Sequence, residues 1–137
     1  MNPQRLRNRA NLFIPRPSFL DYPQRVEFFL STGTIPGSTV IADTGPLRRG
    51  FYNITVMLTL LETGAPNDRL QIMHRDATNT RDVNILCSIT EQKTSTTFTF
   101  PAYFLEENER LVLRSGINAI AGVNNGGSIT YFKVRNA

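Results

Sequence analysis

Gly50 to Leu61 reads GFYNITVMLTLL, the longest uninterrupted strand pattern in the chain. Tyr52, Ile54, Val56, Leu58 and Leu60 recur at period two, so an extended backbone places all of them on one face. Asn53, Thr55, Met57, Thr59 and Leu61 take the other face, which starts polar and turns apolar at Met57 and Leu61. The first face belongs in a core. The second is half dry, which predicts a strand covered on both sides, by a second sheet on one and by a further surface on the other.

Shorter patterns of the same kind surround it. Val26–Leu30, Thr39–Ala42, Leu70–Arg75, Val83–Thr90, Thr96–Phe100, Arg110–Ser115 and Ser128–Val134 each read as a strand. Leu70, Ile72 and His74 share a side, and Val83, Ile85, Cys87 and Ile89 share a face. Turn-forming clusters separate them: STGTIPGS, ETGAPND, DATNTRD and EQKTS. Pro101 is expected to end its strand. PAYFLEENER reads as a short strand or one helical turn, and 116–127 as a long glycine-rich loop. About eight strands at spacings of about ten residues, with no helical pattern and no repeat, predict an all-β, antiparallel jelly-roll sandwich with an extended N-terminal arm.

The 137 residues suffice for one domain. The expected division is an arm at 1–25 and a sandwich at 26–137. The arm holds four prolines and no periodicity, yet carries Leu12, Phe13, Ile14, Phe19, Leu20 and Tyr22. It also holds five of the fifteen basic residues and one of the eleven acidic ones, a net +4. The remainder balances at ten against ten. A basic arm on a neutral body predicts docking on an acidic partner, with Arg5, Arg7, Arg9, Phe13, Arg16 and Phe19 as contact residues. Nucleic acid is the weaker reading, because the body offers no basic stripe. The N-terminus has no apolar run of signal-peptide length and no stretch approaches a membrane-spanning helix, so no membrane is expected.

Chemistry is sparse. One His and one Cys allow neither a disulfide nor a zinc site. A nucleophile-base pair would have to use His74, which falls on the apolar side of its strand and reads as a packed, hydrogen-bonded histidine. Cys87 reads as a small buried hydrophobe. Asp76, Asn79 and Asp82 could ligate calcium, but lack the known loop spacing and read as turn residues. Glu106, Glu107 and Glu109 read as a solvated acidic turn. No catalytic residue, metal or cofactor is expected.

Gly50-Phe51-Tyr52 at the head of the long strand resembles the Gly-x-Tyr start of a central strand in the tumour necrosis factor and complement globular-head superfamily of jelly rolls. Leu105-Glu106-Glu107-Asn108-Glu109-Arg110-Leu111 is similar to that family's leucine, acidic turn and strand, and Ser128–Val134 to its aromatic last strand. The resemblance spans roughly 38–135. It departs where the family's Gly-Asp is Asn108-Glu109. It implies a jelly roll of eight or ten strands that trimerises through one sheet. Met57, Leu61 and Tyr131 or Phe132 are surplus to one core and are the expected contacts of a homotrimer.

Viral surface proteins are similar in fold. The resemblance therefore implies a capsid decoration, or cement, protein, made in the host cytoplasm and located on the virion, whose arm binds the major capsid protein or another virion protein. A receptor- or glycan-binding fibre head, with its ligand at 76–82 or 116–127, is the alternative.

Overall fold

The computed structural model describes residues 22–30, 34–60, 69–90, 94–116, 119–121 and 125–137. The arm contacts expected at Arg5, Arg7, Arg9, Phe13, Arg16 and Phe19 lie outside these residues, as does Leu61. The strands in chain order are β1 (Gln24–Leu30), β2 (Thr34–Ile35), β3 (Val40–Asp43), β4 (Gly50–Leu60), β5 (Leu70–Arg75), β6 (Asp82–Ile89), β7 (Thr94–Leu105), β8 (Arg110–Ser115), β9 (Ile120–Ala121) and β10 (Asn125–Arg135).

Two four-stranded antiparallel sheets stack as a sandwich. The first has the order β1-β10-β4-β7 and the second β3-β8-β5-β6. The chain crosses between layers at β3 to β4, β4 to β5, β6 to β7 and β7 to β8. This alternation is the jelly-roll path. The pair β2–β9 joins Ile35 to Ile120, both buried.

Period two works on β4 as the sequence predicts. Tyr52, Ile54, Val56, Leu58 and Leu60 are 2% exposed or less. They meet Leu70, Ile72, Leu111 and Leu113 from the second sheet in one core. Burial of each such side chain contributes about 1.5–3 kcal/mol. Tyr52 donates its hydroxyl to the Arg48 carbonyl at 2.7 Å, so its one polar group is satisfied at the core margin.

Three expectations need correction. Pro101 does not end β7, which continues to Leu105. β7 is an edge strand, where a missing N–H costs no ladder bond. Pro101 and Ala102 together oppose Asn53 in a bulge, with Ala102 at φ 50° and its N–H donated to Asn53 Oδ1 at 3.0 Å. Second, Val83 and Ile85 do not share the face of Cys87 and Ile89. The register jumps from Ile72–Cys87 to Met73–Ile85, so Leu86 is an extra residue and the alternation reverses there. Val83 and Ile85 stand 51% and 53% exposed, while Cys87 and Ile89 are buried. Third, 116–127 is not one loop. It contains β9, and β10 already begins at Asn125.

Gly127 shows how closely β10 and β4 approach on the core side. A Cβ there would lie 2.5 Å from the Met57 carbonyl oxygen and 2.9 Å from Leu58 Cδ2. Gly127→Ala is expected to lose about 1–3 kcal/mol in urea unfolding, the cost of overpacking a dense core. An unchanged midpoint would contradict this packing.

Candidate interaction face and the buried histidine network

The two sheets cover their outer faces in opposite ways. On the second sheet, Met73 of β5 and Val112 of β8 are register partners that point away from the core. Both are 1% exposed or less. Long basic side chains flank them. Arg110 reaches Asp43 at 3.0 Å, on the strand beside Val112. Arg114 crosses β5 to Asp82 at 3.2 Å, and Asp82 also takes Arg75 at 2.7 Å. Arginine stems cover apolar surface while the heads pair with carboxylates. These charges cover the middle of the face, while Ile85 opposite Met73 and Val40 opposite Arg114 stand 53% and 44% exposed on it.

The first sheet has no such cover. Register places Asn53, Thr55, Met57 and Thr59 of β4, Ser95, Thr97 and Thr99 of β7, and Ser128, Thr130 and Phe132 of β10 on one outward face. None of these ten residues is charged. Thr55 opposes Thr130 on one side and Thr99 on the other, and Thr59 Oγ1 lies 3.2 Å from Ser95 Oγ. Met57 and Phe132 are half-buried. A shallow depression of about 260 Å³ opens beside the β7 bulge, lined by Asn53, Thr55, Thr99, Pro101 and Phe132 among others. Of the expected contacts, Met57 and Phe132 therefore share this face. Tyr131 does not: it turns inward and is 8% exposed in the core.

His74 is 6% exposed and sits between the sheets, as a packed, hydrogen-bonded side chain. Its Nδ1 lies 2.8 Å from the Tyr103 hydroxyl and its Nε2 2.7 Å from Glu109 Oε1. Asn84 Nδ2 donates to the same tyrosine oxygen at 3.2 Å. A carboxylate only accepts, so Nε2–H donates to Glu109, and the Nδ1–Tyr103 bond gives the second ring nitrogen its partner. Burial, with a smaller push from Glu109, raises the Tyr103 hydroxyl above its ordinary value and keeps it protonated. Glu109 Oε1 also accepts the Glu106 N–H at 2.8 Å, so the acidic turn is bolted to the histidine. The sequence reading treated Glu109 as solvated; it is the carboxylate of a buried network. Asn108 adopts φ 68°, a left-handed conformation that asparagine tolerates better than most residues, and it closes the turn.

Loop 76–82 is built from its own hydrogen bonds. Asp76 Oδ1 accepts Thr80 N–H at 2.9 Å, Thr78 Oγ1–H at 3.1 Å and Arg81 N–H at 3.3 Å. Asn79 Oδ1 accepts from Arg75 Nε, and Asp82 is held by two arginines. Asn79 and Asp82 are thus engaged by the Arg75 guanidinium, and Asp76 by the loop's own donors. Among the described residues, no group of His, Cys, Asp or Glu is placed to hold a metal, and no helix is long and apolar enough to cross a membrane. Cys87 is buried, and burial pushes its thiol up to about 12.

No protein-family model and no curated protein matches the chain. Solved structures do match in shape. Eiger TNF from S. frugiperda superposes with a TM-score of 0.53 at 14% identity, covering 82% of this chain and 93% of its own. The fold is a tumour necrosis factor-like jelly roll. PRD1 vertex protein P5 reaches 0.48 at 12% identity over 82% of this chain and 96% of its own. The sugar-binding C-terminal domain of EclA reaches 0.42 at 15% identity over 90% and 83%.

Two outcomes are expected. His74→Ala strands the Glu109 carboxylate and the Tyr103 hydroxyl in the interior and should cost about 3 kcal/mol in urea unfolding; a loss like that of an exposed strand residue would contradict the network. The Thr80 N–H bond first, then those from Arg81 and Thr78, hold Asp76 at about 2 instead of 3.8. A lowered folded-state value stabilises above 3.8, and the benefit disappears as pH falls from 3.8 towards about 2. Asp76→Asn should flatten that part of the stability-pH curve, read by thermal melts.

Proposed function

We propose that this protein is a non-enzymatic structural module that associates as a homotrimer through the outer face of β1-β10-β4-β7. We further propose that it decorates a virion shell, docking by its N-terminal arm. The carrying observation is the uncharged face itself. Ten outward side chains on three neighbouring strands include no charge, while the opposite sheet carries five charged groups in ion pairs across its outer face. The centre of a protein–protein contact is depleted of charged residues and enriched in Met and aromatics. Met57 and Phe132 supply those, and threonines supply flat, short, hydrogen-bonding filler. The superfamily that the sequence resembles associates through one sheet; a three-fold ring is heterologous, with one part of that sheet meeting a different part on the next copy.

The arm supports the virion reading. Arg5, Arg7, Arg9 and Arg16 concentrate positive charge beside Phe13 and Phe19, and prolines lower the entropy lost when such a segment docks. His74, the chain's one histidine, is committed to Tyr103 and Glu109, which favours a structural role over catalysis.

Met57→Glu puts a charge near the middle of the proposed contact. Sedimentation equilibrium of the wild type is expected to give three times the 15.4 kDa chain mass, and of Met57→Glu one times. A monomeric wild type, or a variant that stays trimeric, would refute the assignment of this face. Shell binding that survives deletion of residues 1–21 would refute the role of the arm.

A further inference from the structure

Beyond Phe132 and Asn53, where the uncharged face ends, charge returns in a built form. Phe51 of β4 and Phe104 of β7 are register partners with ring centroids 5.3 Å apart. The Arg135 guanidinium lies 4.2 Å over the Phe51 ring, and that of Arg49 5.6 Å over Phe104. Arg48, next in sequence to Arg49, is exposed, and its backbone is held by the hydrogen bond its carbonyl accepts from Tyr52. Glu106 pairs with Arg49 at 3.5 Å, and Glu107 Oε1 accepts the Arg49 N–H at 2.9 Å. Arg48 and Arg135 have no carboxylate partner among the described residues. Lys133 adds a third basic side chain beneath them. It is 4% exposed, donates to Asn136 Oδ1 at 3.3 Å, and likewise meets no carboxylate among the described residues.

We propose that Arg135, held over the Phe51 ring, and exposed Arg48 at the foot of the same strand form a docking site for an acidic peptide segment of a partner protein. A guanidinium stacked on a ring keeps its N–H edge free and already oriented, the geometry that grips a carboxylate with two parallel bonds. Charge complementarity selects the occupant. The chain's own residues 1–21 carry the same sign as the patch and do not fit it. Nucleic acid fits poorly, because both rings are already covered by arginines and offer no free face for base stacking. The site is separate from the arm and does not depend on trimerisation.

The test uses the full-length protein and fluorescein-labelled decaglutamate in low salt, read by fluorescence anisotropy. The Arg48→Ala/Arg135→Ala double variant is expected to bind about tenfold more weakly than wild type, with an unchanged melting temperature. A control double variant, Arg69→Ala/Arg81→Ala, measures the effect of net charge alone and should lose about twofold or less. Arg135→Lys keeps the charge without the planar fork and should recover only part of the loss. Equal losses in the patch and control variants, or no decaglutamate binding by the wild type, overturn the proposal. So does a ten-nucleotide oligothymidylate that binds more tightly and suffers the same loss, which would make the patch a nucleic-acid site.

Discussion

The inward row of β4, from Tyr52 to Leu60, fixes which way every neighbouring strand must face. Ile129 and Tyr131 of β10 lie opposite Val56 and Ile54, and Phe98 and Phe100 of β7 lie opposite the same two residues. Because side chains alternate, setting the inward set also sets the outward one. A one-residue slip of β4 would bring Asn53, Thr55 and Met57 into the core and expose five large apolar groups. The character of the outer face is thus bound to the core that forms behind it.

The outer faces of the two sheets differ in how they meet their surroundings. Each layer of a sandwich must keep its second surface compatible with water or with a partner. The sheet β3-β8-β5-β6 does so internally, with Arg75, Arg110 and Arg114 reaching over Val112 and Met73 to Asp43 and Asp82. Pairing within the chain leaves those charges little reason to engage a partner. The sheet β1-β10-β4-β7 keeps threonine, serine, asparagine, Met57 and Phe132 instead, with an Arg25–Glu27 pair only at its β1 edge. Its charge is gathered at one end, on Arg48, Arg49 and Arg135. An uncharged field bordered by stacked arginines is compatible with self-association in the middle and recognition of a second protein at the margin.

Much of this architecture was legible because period two is a local signal. The bounds of β5 and β8 are those the alternation suggests, and β4 differs by one residue. What escaped was set by tertiary context. Whether Pro101 ends a strand depends on whether that strand is at an edge, which the residue itself does not encode. The reversal at Leu86 comes from a bulge, and a bulge adds one residue without changing composition. Tyr131 and Phe132 are equally aromatic, so only the register against β4 shows that Phe132 is the outward one. The His74–Tyr103–Glu109 network joins residues up to 35 positions apart, beyond the reach of any spacing rule. Glu109 stood among acidic neighbours that do face solvent, which masked its role.

The proposed trimer contact would bury Thr55 between copies of the chain. Thr55 is exposed at the centre of the uncharged face of a single chain. Cys87 is buried with its thiol pushed up to about 12, so a cysteine placed at position 55 would be labelled against a silent background. The thiol-labelling rate of Thr55→Cys, measured across a dilution series, tests that burial directly. The account predicts strong protection at high protein concentration and rapid labelling once dilution dissociates the trimer. Labelling at the rate of a free thiol at every concentration would contradict it.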